Sequence, residues 1–356
     1  MKIFLCECKK MMSFRIFWII FVCLFAINGY VQIDRINDRY YTPESYRSFF
    51  SETKDMSLEE IQDYTNEMLE RQNNGEYIEF PMMLVYDMSE LSKECENYPE
   101  YLNSIKEQTN NMSAVSIWGD SDTFSYRNIQ KTPSAYENLP AEPLPLAASF
   151  GLENTFTSPI TDFMGIFLVF LAVCGIILKD REHGITFLLS SMPKGRSSLI
   201  LSKLFAVSLF ASFVAVMLFA ENLVIGGALY GIGELQRPIQ SVFGFYQCNL
   251  AVSVGEFLLL FFILKIASYL LFAMIFSLIC TVSRNNLMIY GISGAVCTIA
   301  FLCYRLIPQN SVFQLFHDWN PIKFTQTAEI LGTYQNVNLF GYPVSLKISM
   351  IIIIVI

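Results

Sequence analysis

The chain has 356 residues, 53% of them hydrophobic and 15% aromatic, with a mean hydropathy of +0.41. That is too apolar for a soluble globule and too long for one membrane anchor, so a multi-span membrane protein follows. The net charge of −8 fits such a protein because it is localised: 23 of the 32 acids but only 9 of the 24 bases lie between Asp34 and Glu153, in one polar insert.

The N-terminus reads MKIFLCECKKMMSFR, and residues 14–33 then supply about 20 apolar positions, enough for one crossing. A cleaved signal peptide is the rival reading. Ile27-Asn28-Gly29 follows Ala26 where a small-x-small cleavage site would stand, which favours a retained span. Lys2, Lys9, Lys10 and Arg15 hold this end in the cytoplasm by the positive-inside rule. Residues 1–13 form a cytoplasmic lead-in, and residues 3–12 suit an amphipathic helix on the inner surface.

Residues 34–155 are the insert, of the size of a small domain. Ser57-Leu58-Glu59-Glu60 is a capping box, Leu58, Ile61, Thr65 and Met68 follow at helical spacing, and Asn73-Asn74-Gly75 ends that helix. Residues 77–86 and 114–118 read as strands, residues 99–108 as a helix beginning at proline, and Pro133, Pro140, Pro143 and Pro145 as an extended connector. The insert is therefore expected to be an extracellular α+β domain.

From residue 156 the chain reads as a transmembrane bundle, with spans at about 160–178, 200–224, 257–282 and 287–307 and a last one starting at 344. Alternation from a cytoplasmic N-terminus puts 179–198 and the turn at 283–286 inside, and 225–255 and 308–343 outside. Lys179, Arg181, Lys194, Arg196 and Arg284 agree with that sidedness. The final run yields only about 20 Å of helix against roughly 30 Å of hydrocarbon, so the sixth span reads as truncated. The fold class is an all-α membrane bundle of six helices with an α+β extracellular domain, in a bacterial plasma membrane.

Of nine cysteines, only Cys95 and Cys248 fall in external segments, so a disulfide framework is not expected. No Gly-x-x-x-x-Gly-Lys-Ser/Thr loop occurs, and His183 and His317 lack a metal-ligand pattern and read as surface or interfacial histidines. Asp162 stands alone near an outer span end, so the paired acids of an intramembrane protease are missing. No cofactor, metal or nucleic acid is expected. Two charges in apolar runs are candidate polar positions on a pathway. Glu221 suits a solvated helix end or a substrate contact. Lys265 suits snorkelling to the outer interface, with 255–264 partly re-entrant, or a place inside the outer leaflet.

The segment between the second and third spans carries most information. Ile185, Leu188, Leu189 and Met192 recur at i, i+3, i+4 and i+7, Gly184 frees the chain to turn, and Pro193 stops the short helix. Glu182 precedes this stripe, and Lys194 and Arg196 follow it. A plain surface helix between two spans is the alternative.

In Glu182, Gly184, Leu188, Leu189, Pro193, Arg196 and Lys203, the chain resembles the membrane subunit of ABC transporters of the type-2 exporter class. The basic lead-in, the insert between the first two spans and the six-span layout extend the likeness. The resemblance implies a permease without its own catalysis. A separate ATPase subunit would bind ATP and dock on 179–198 as a coupling helix, and a second permease copy or sister permease would complete the path through membrane lipid. It also implies export of peptides, antibiotics or lipid-like molecules, and the acidic insert would attract cationic peptides by long-range charge. The alternative function is a membrane sensor whose extracellular domain binds a ligand; an intramembrane enzyme is disfavoured for want of a catalytic set.

Overall fold

The computed structural model describes residues 2–37, 40–114, 123–182, 195–283, 285–308 and 313–355. Among the described residues five helices are long and apolar enough to cross a membrane: Arg15–Arg35, Pro159–Leu178, Ser197–Tyr230, Val254–Val282 and Asn286–Leu306. Each overlaps a span expected from the sequence. They are formed by helices α2 (Arg15–Asn37), α9 (Pro159–Val173) with the turn that follows it, α11 (Gly195–Tyr230), α12 (Val254–Val282) and α13 (Asn286–Leu306). A short helix α1 (Lys2–Met12) precedes them, where the lead-in was expected.

Helix α9 does not stop at Val173. It runs through a π-helical turn, Cys174–Leu178, into a last turn α10, Lys179–Glu182. Helices α2, α9, α11 and α12 pack around a shared apolar core that includes Phe21, Leu168, Val214, Leu218 and Phe272. Outward faces of the same helices stay apolar, as at Ile19, Phe163, Leu209 and Leu278, which suits lipid rather than water.

Among the described residues the insert is helical: α3 (Pro43–Glu52), α4 (Leu58–Asn73), α5 (Met82–Glu96), α6 (Tyr98–Ala114), α7 (Phe124–Ala135) and α8 (Phe150–Phe156). The capping box forms as expected, with Ser57 and Glu60 bonded reciprocally. The strand expected at 77–86 does not form. Leu84, Val85, Met88, Leu91 and Cys95 are all buried and recur on one helical face, and α5 starts directly after Pro81, so the helical period overrides the aromatic and branched content. Ala114 ends α6, and the rest of the run at 114–118 lies outside the described residues. Pro133 sits in the last turn of α7, where its missing N–H costs a single helix bond, and the irregular connector begins after it.

The only strands among the described residues lie elsewhere. β1 (Asn336–Leu339) and β2 (Tyr342–Ser345) pair antiparallel across Phe340 and Gly341, both at positive φ, and so form a hairpin. The hairpin follows three short helices, α14 (Gln314–Asp318), α15 (Pro321–Thr325) and α16 (Thr327–Gly332), and leads into α17 (Leu346–Val355). Residues 308–343, expected as an external loop, thus partly fold back on the bundle: Asn320 donates to the Ala300 carbonyl of α13, and α15 and α16 pack on α12.

The insert is rooted in the bundle by α11, whose 36 residues give about 54 Å of helix, well beyond the roughly 30 Å of hydrocarbon. Its final Tyr230 enters the insert core, with ring centroids 5.2 Å from Tyr46, and Phe150 of α8 stacks on Tyr46 at 4.7 Å. Where α8 crosses α11 the backbones touch: a Cβ on Gly151 would lie 2.6 Å from the Gly226 carbonyl oxygen, and one on Gly226 would lie 2.4 Å from that of Gly151. Cys95 and Cys248 are both buried free thiols, so no bond joins them. Burial, helped by Glu94 and opposed by Arg237, pushes the Cys95 thiol up to about 12.

Candidate functional site

Two buried carboxylates, one near each end of the α9–α10 rod, organise the polar contacts of the bundle. At the α1 end the π turn rotates the chain so that Asp180 faces inward, between α1 and α11. Its Oδ1 is 2.7 Å from Lys10 Nζ of α1, and its Oδ2 accepts from Lys203 Nζ of α11. Lys10 also donates to Glu7 and to the Ile176 carbonyl within the π turn, both at 2.9 Å.

The turn needs glycine there, because a Cβ on Gly175 would lie 2.5 Å from the Phe14 ring. Lys179 Nζ sits over the same Phe14 ring, 4.1 Å from its centroid. Burial by itself would raise the Asp180 carboxyl, but the hydrogen bonds and charges of Lys10 and Lys203 outweigh it and hold the group below its usual value.

This junction forms the first turn of the proposed coupling segment, 179–198. Gly184, Ile185, Leu188, Leu189, Met192 and Pro193 lie outside the described residues, while Glu182 is the last residue of α10 and Arg196 lies in the first turn of α11. Lys203, noted from the sequence, proves to be a buried ion-pair partner. Its partner Asp180, and Lys10 as the second lysine on that carboxylate, do not stand out in the sequence. The available signal was a lysine inside an apolar run, which requires an acid nearby in space.

At the opposite end, Asp162 in the first turn of α9 receives Lys265 of α12, with Nζ 2.8 and 3.0 Å from the two carboxylate oxygens. Both residues are buried, at 4% and 1% exposure, so Lys265 does not snorkel and Asp162 is not alone. Helix α12 starts at Val254 behind a second capping box, Ser253 with Glu256, so 255–264 is continuous helix rather than re-entrant. Lys265 also donates to the Thr325 carbonyl at the end of α15, and Gln326 Nε2 is 3.3 Å from Asp162 Oδ2. Irregular backbone at this depth is tolerable because these bonds satisfy it.

Beside the pair, Asn28 of α2 donates to Glu221 (2.9 Å) and Asn222 (2.7 Å) of α11, and Thr161 of α9 donates to Asn28 Oδ1 (2.6 Å). Asn222 donates back to Thr161 at 3.0 Å. Glu221 is thus half-buried in an interhelical network rather than a solvated helix end. From Asp162 to Asp180 the rod measures roughly 27 Å at 1.5 Å per residue, close to the hydrocarbon thickness of roughly 30 Å, so the two polar clusters mark the two faces of one apolar slab.

Between those faces an apolar cavity of about 500 Å³ opens between α9, α12 and α13, walled by Phe163, Phe167, Phe170, Phe276 and Tyr290. Ser293 lines it too, 3% exposed and with its hydroxyl unpartnered. Gly294, also in the wall, has open space where a Cβ would stand. His317, expected as a surface or interfacial histidine, is buried, with Nδ1 2.9 Å from Asp318 Oδ1 and its ring stacked on Tyr304. His183 lies outside the described residues.

The model of one protein family, described as ABC-2 family transporter protein, matches residues 1–342. No curated protein and no solved structure matches the chain significantly.

Proposed function

The chain belongs to the ABC-2 transporter family, which makes it the membrane permease component of an ABC transporter, and on that premise we propose an exporter of the type-2 class driven through residues 179–198. The N-terminus and this segment face the cytoplasm, the insert faces outside, and α17 begins a sixth span. A separate ATP-binding cassette subunit docks on the apolar stripe Ile185, Leu188, Leu189 and Met192, with Glu182 and Arg196 fixing its register. A second copy of the chain or a sister permease completes the path through the lipid.

The observation that carries this reading is the Asp180 junction. Force applied to a short coupling helix moves the spans only if the root of that helix is rigid. Asp180, held by one lysine from α1 and one from α11, ties both neighbours to the end of α9. Displacement of the coupling segment is thereby passed to three elements together. The rod carries it to Asp162 and the polar layer at the insert end, and along the aromatic wall of the cavity between α9, α12 and α13. That wall suits an apolar or amphiphilic cargo, since a mostly apolar pocket with few polar groups selects such ligands.

The test is Leu188→Asp in the full complex. It buries a charge in the docking interface and is expected to abolish stimulation of ATP hydrolysis and transport while membrane insertion persists. Intact complex formation and transport in the variant would remove the docking role.

A further inference from the structure

Helix α7 of the insert is bonded to the β1–β2 hairpin, more than 200 residues later in the chain. Arg127 donates to the Gly341 carbonyl at 3.2 Å and lies 4.3 Å over the Tyr342 ring. One turn on, Lys131 donates to the Pro343 carbonyl at 2.9 Å. Asn336 of β1 donates to Asn128 at 2.6 Å, between them.

The hairpin in turn shares a small core with the helices that reach the buried ion pair. Val337 of β1, Phe324 of α15, Ile330 of α16, and Leu346 and Met350 of α17 are buried together. A side-chain core of this kind moves as a unit, because packed interiors do not deform continuously. Its inner edge is Thr325 and Gln326, the two residues bonded to Lys265 and Asp162.

We propose that Arg127 and Lys131 are positioning residues through which the insert holds α15 and α16 against the Asp162–Lys265 pair, closing the insert end of the bundle. This rests on the permease reading, and it gives the insert a part in the transport cycle. Two cationic side chains from one helix grip two backbone carbonyls of one turn, so a ligand or load that shifts α7 shifts the hairpin. The hairpin then carries Thr325 and Gln326 off the pair. Charged donors on carbonyl acceptors give bonds stronger than neutral ones, which suits a contact that must hold in the resting state and still release.

The chain carries a native reporter of this closure. Cys248, fully buried, is 3.4 Å from the Leu331 carbonyl of α16, and burial pushes its thiol upward. Withdrawal of α16 exposes it. Cys95, buried in the insert core, reports instead on loosening of the insert itself.

The experiment measures N-ethylmaleimide labelling of Cys248 and Cys95 by mass spectrometry, on the full chain in lipid nanodiscs without nucleotide or ATPase subunit. Arg127→Gln and Lys131→Met are each expected to speed Cys248 labelling roughly tenfold, the change for losing one charge-assisted hydrogen bond from the closed form, and the double variant more. Cys95 labelling stays at its wild-type rate, Lys131→Arg restores slow labelling of Cys248, and Lys106→Met on exposed α6 changes neither thiol. An unchanged Cys248 rate in the double variant overturns the proposal, as does equal acceleration of Cys95, which would mean general loosening of the insert. Because no ATPase is present, either failure leaves the coupling reading standing, and failure of the coupling reading leaves this result interpretable.

Discussion

The two ends of α9 use the same device in different surroundings. At the insert end Asp162 and Lys265 are sealed, their side chains 5% and 2% exposed, and backbone and amide groups of α15 and α16 complete the shell. At the α1 end Asp180 is as well covered, at 7%, but one of its two partners, Lys10, keeps 26% of its side chain open. A sealed pair has a large desolvation cost and holds only with its partners complete; a half-open one loses less when a partner is removed, because water replaces it. The contrast sets a sealed anchor at the insert end against a partly open junction at the α1 end, at the root of the segment proposed to meet the ATPase.

The largest expected effect follows from breaking the anchor. Asp162→Ala leaves the Lys265 ammonium buried without its counter-charge and is expected to cost about 3–5 kcal/mol of stability in detergent unfolding. Lys265→Met alone should cost a similar amount, and the Asp162→Leu, Lys265→Met pair should recover most of it. Additive losses in that cycle would show that the two groups are not coupled and that the anchor is misread.

The junction should respond more mildly. Asp180→Asn removes the negative charge and keeps an acceptor for only one lysine, but Lys10 is open enough for water to take it over, for an expected loss of about 1–2 kcal/mol. Its pH behaviour supplies the sharper test. The folded carboxyl of Asp180 is held below its unfolded value, so its contribution is complete above the ordinary carboxylate value of about 4 and drains away as pH falls through the lower folded value. The stability difference between wild type and Asp180→Asn should therefore shrink toward zero on acidification. A difference that grows on acidification would reverse the assigned sign.

The same contrast shows what was legible in the sequence. The spans were readable because length and apolarity alone define them, and the helix at Leu58–Asn73 because its cap is a local pattern. The same Ser-x-x-Glu pattern at Ser253–Glu256 starts α12, whereas the charge at Lys265 points to a later helix start. Lys265 illustrates the general limit. Its level near one membrane face follows from counting residues, whereas its partner lies 103 positions away on a helix whose rotation no local pattern fixes. The short helices α14–α16 were hidden for a related reason, since bonds that seat them reach across to α12 and α13, as Lys265 to Thr325 and Asn320 to Ala300, where no local pattern points. Residues 77–86 carry strand-type composition and were expected as a strand, while the burial period that makes 82–86 helical continues to Cys95.

The central claim is that the residues beyond Asp180 meet the ATPase. A photo-crosslinking amino acid placed at Leu188, and in a separate variant at Tyr86 on the exposed face of α5, tests it in the assembled transporter. The account predicts a crosslink to the ATP-binding cassette subunit from position 188 and none from position 86. A crosslink from position 86, or none from position 188 with the complex intact, would contradict it.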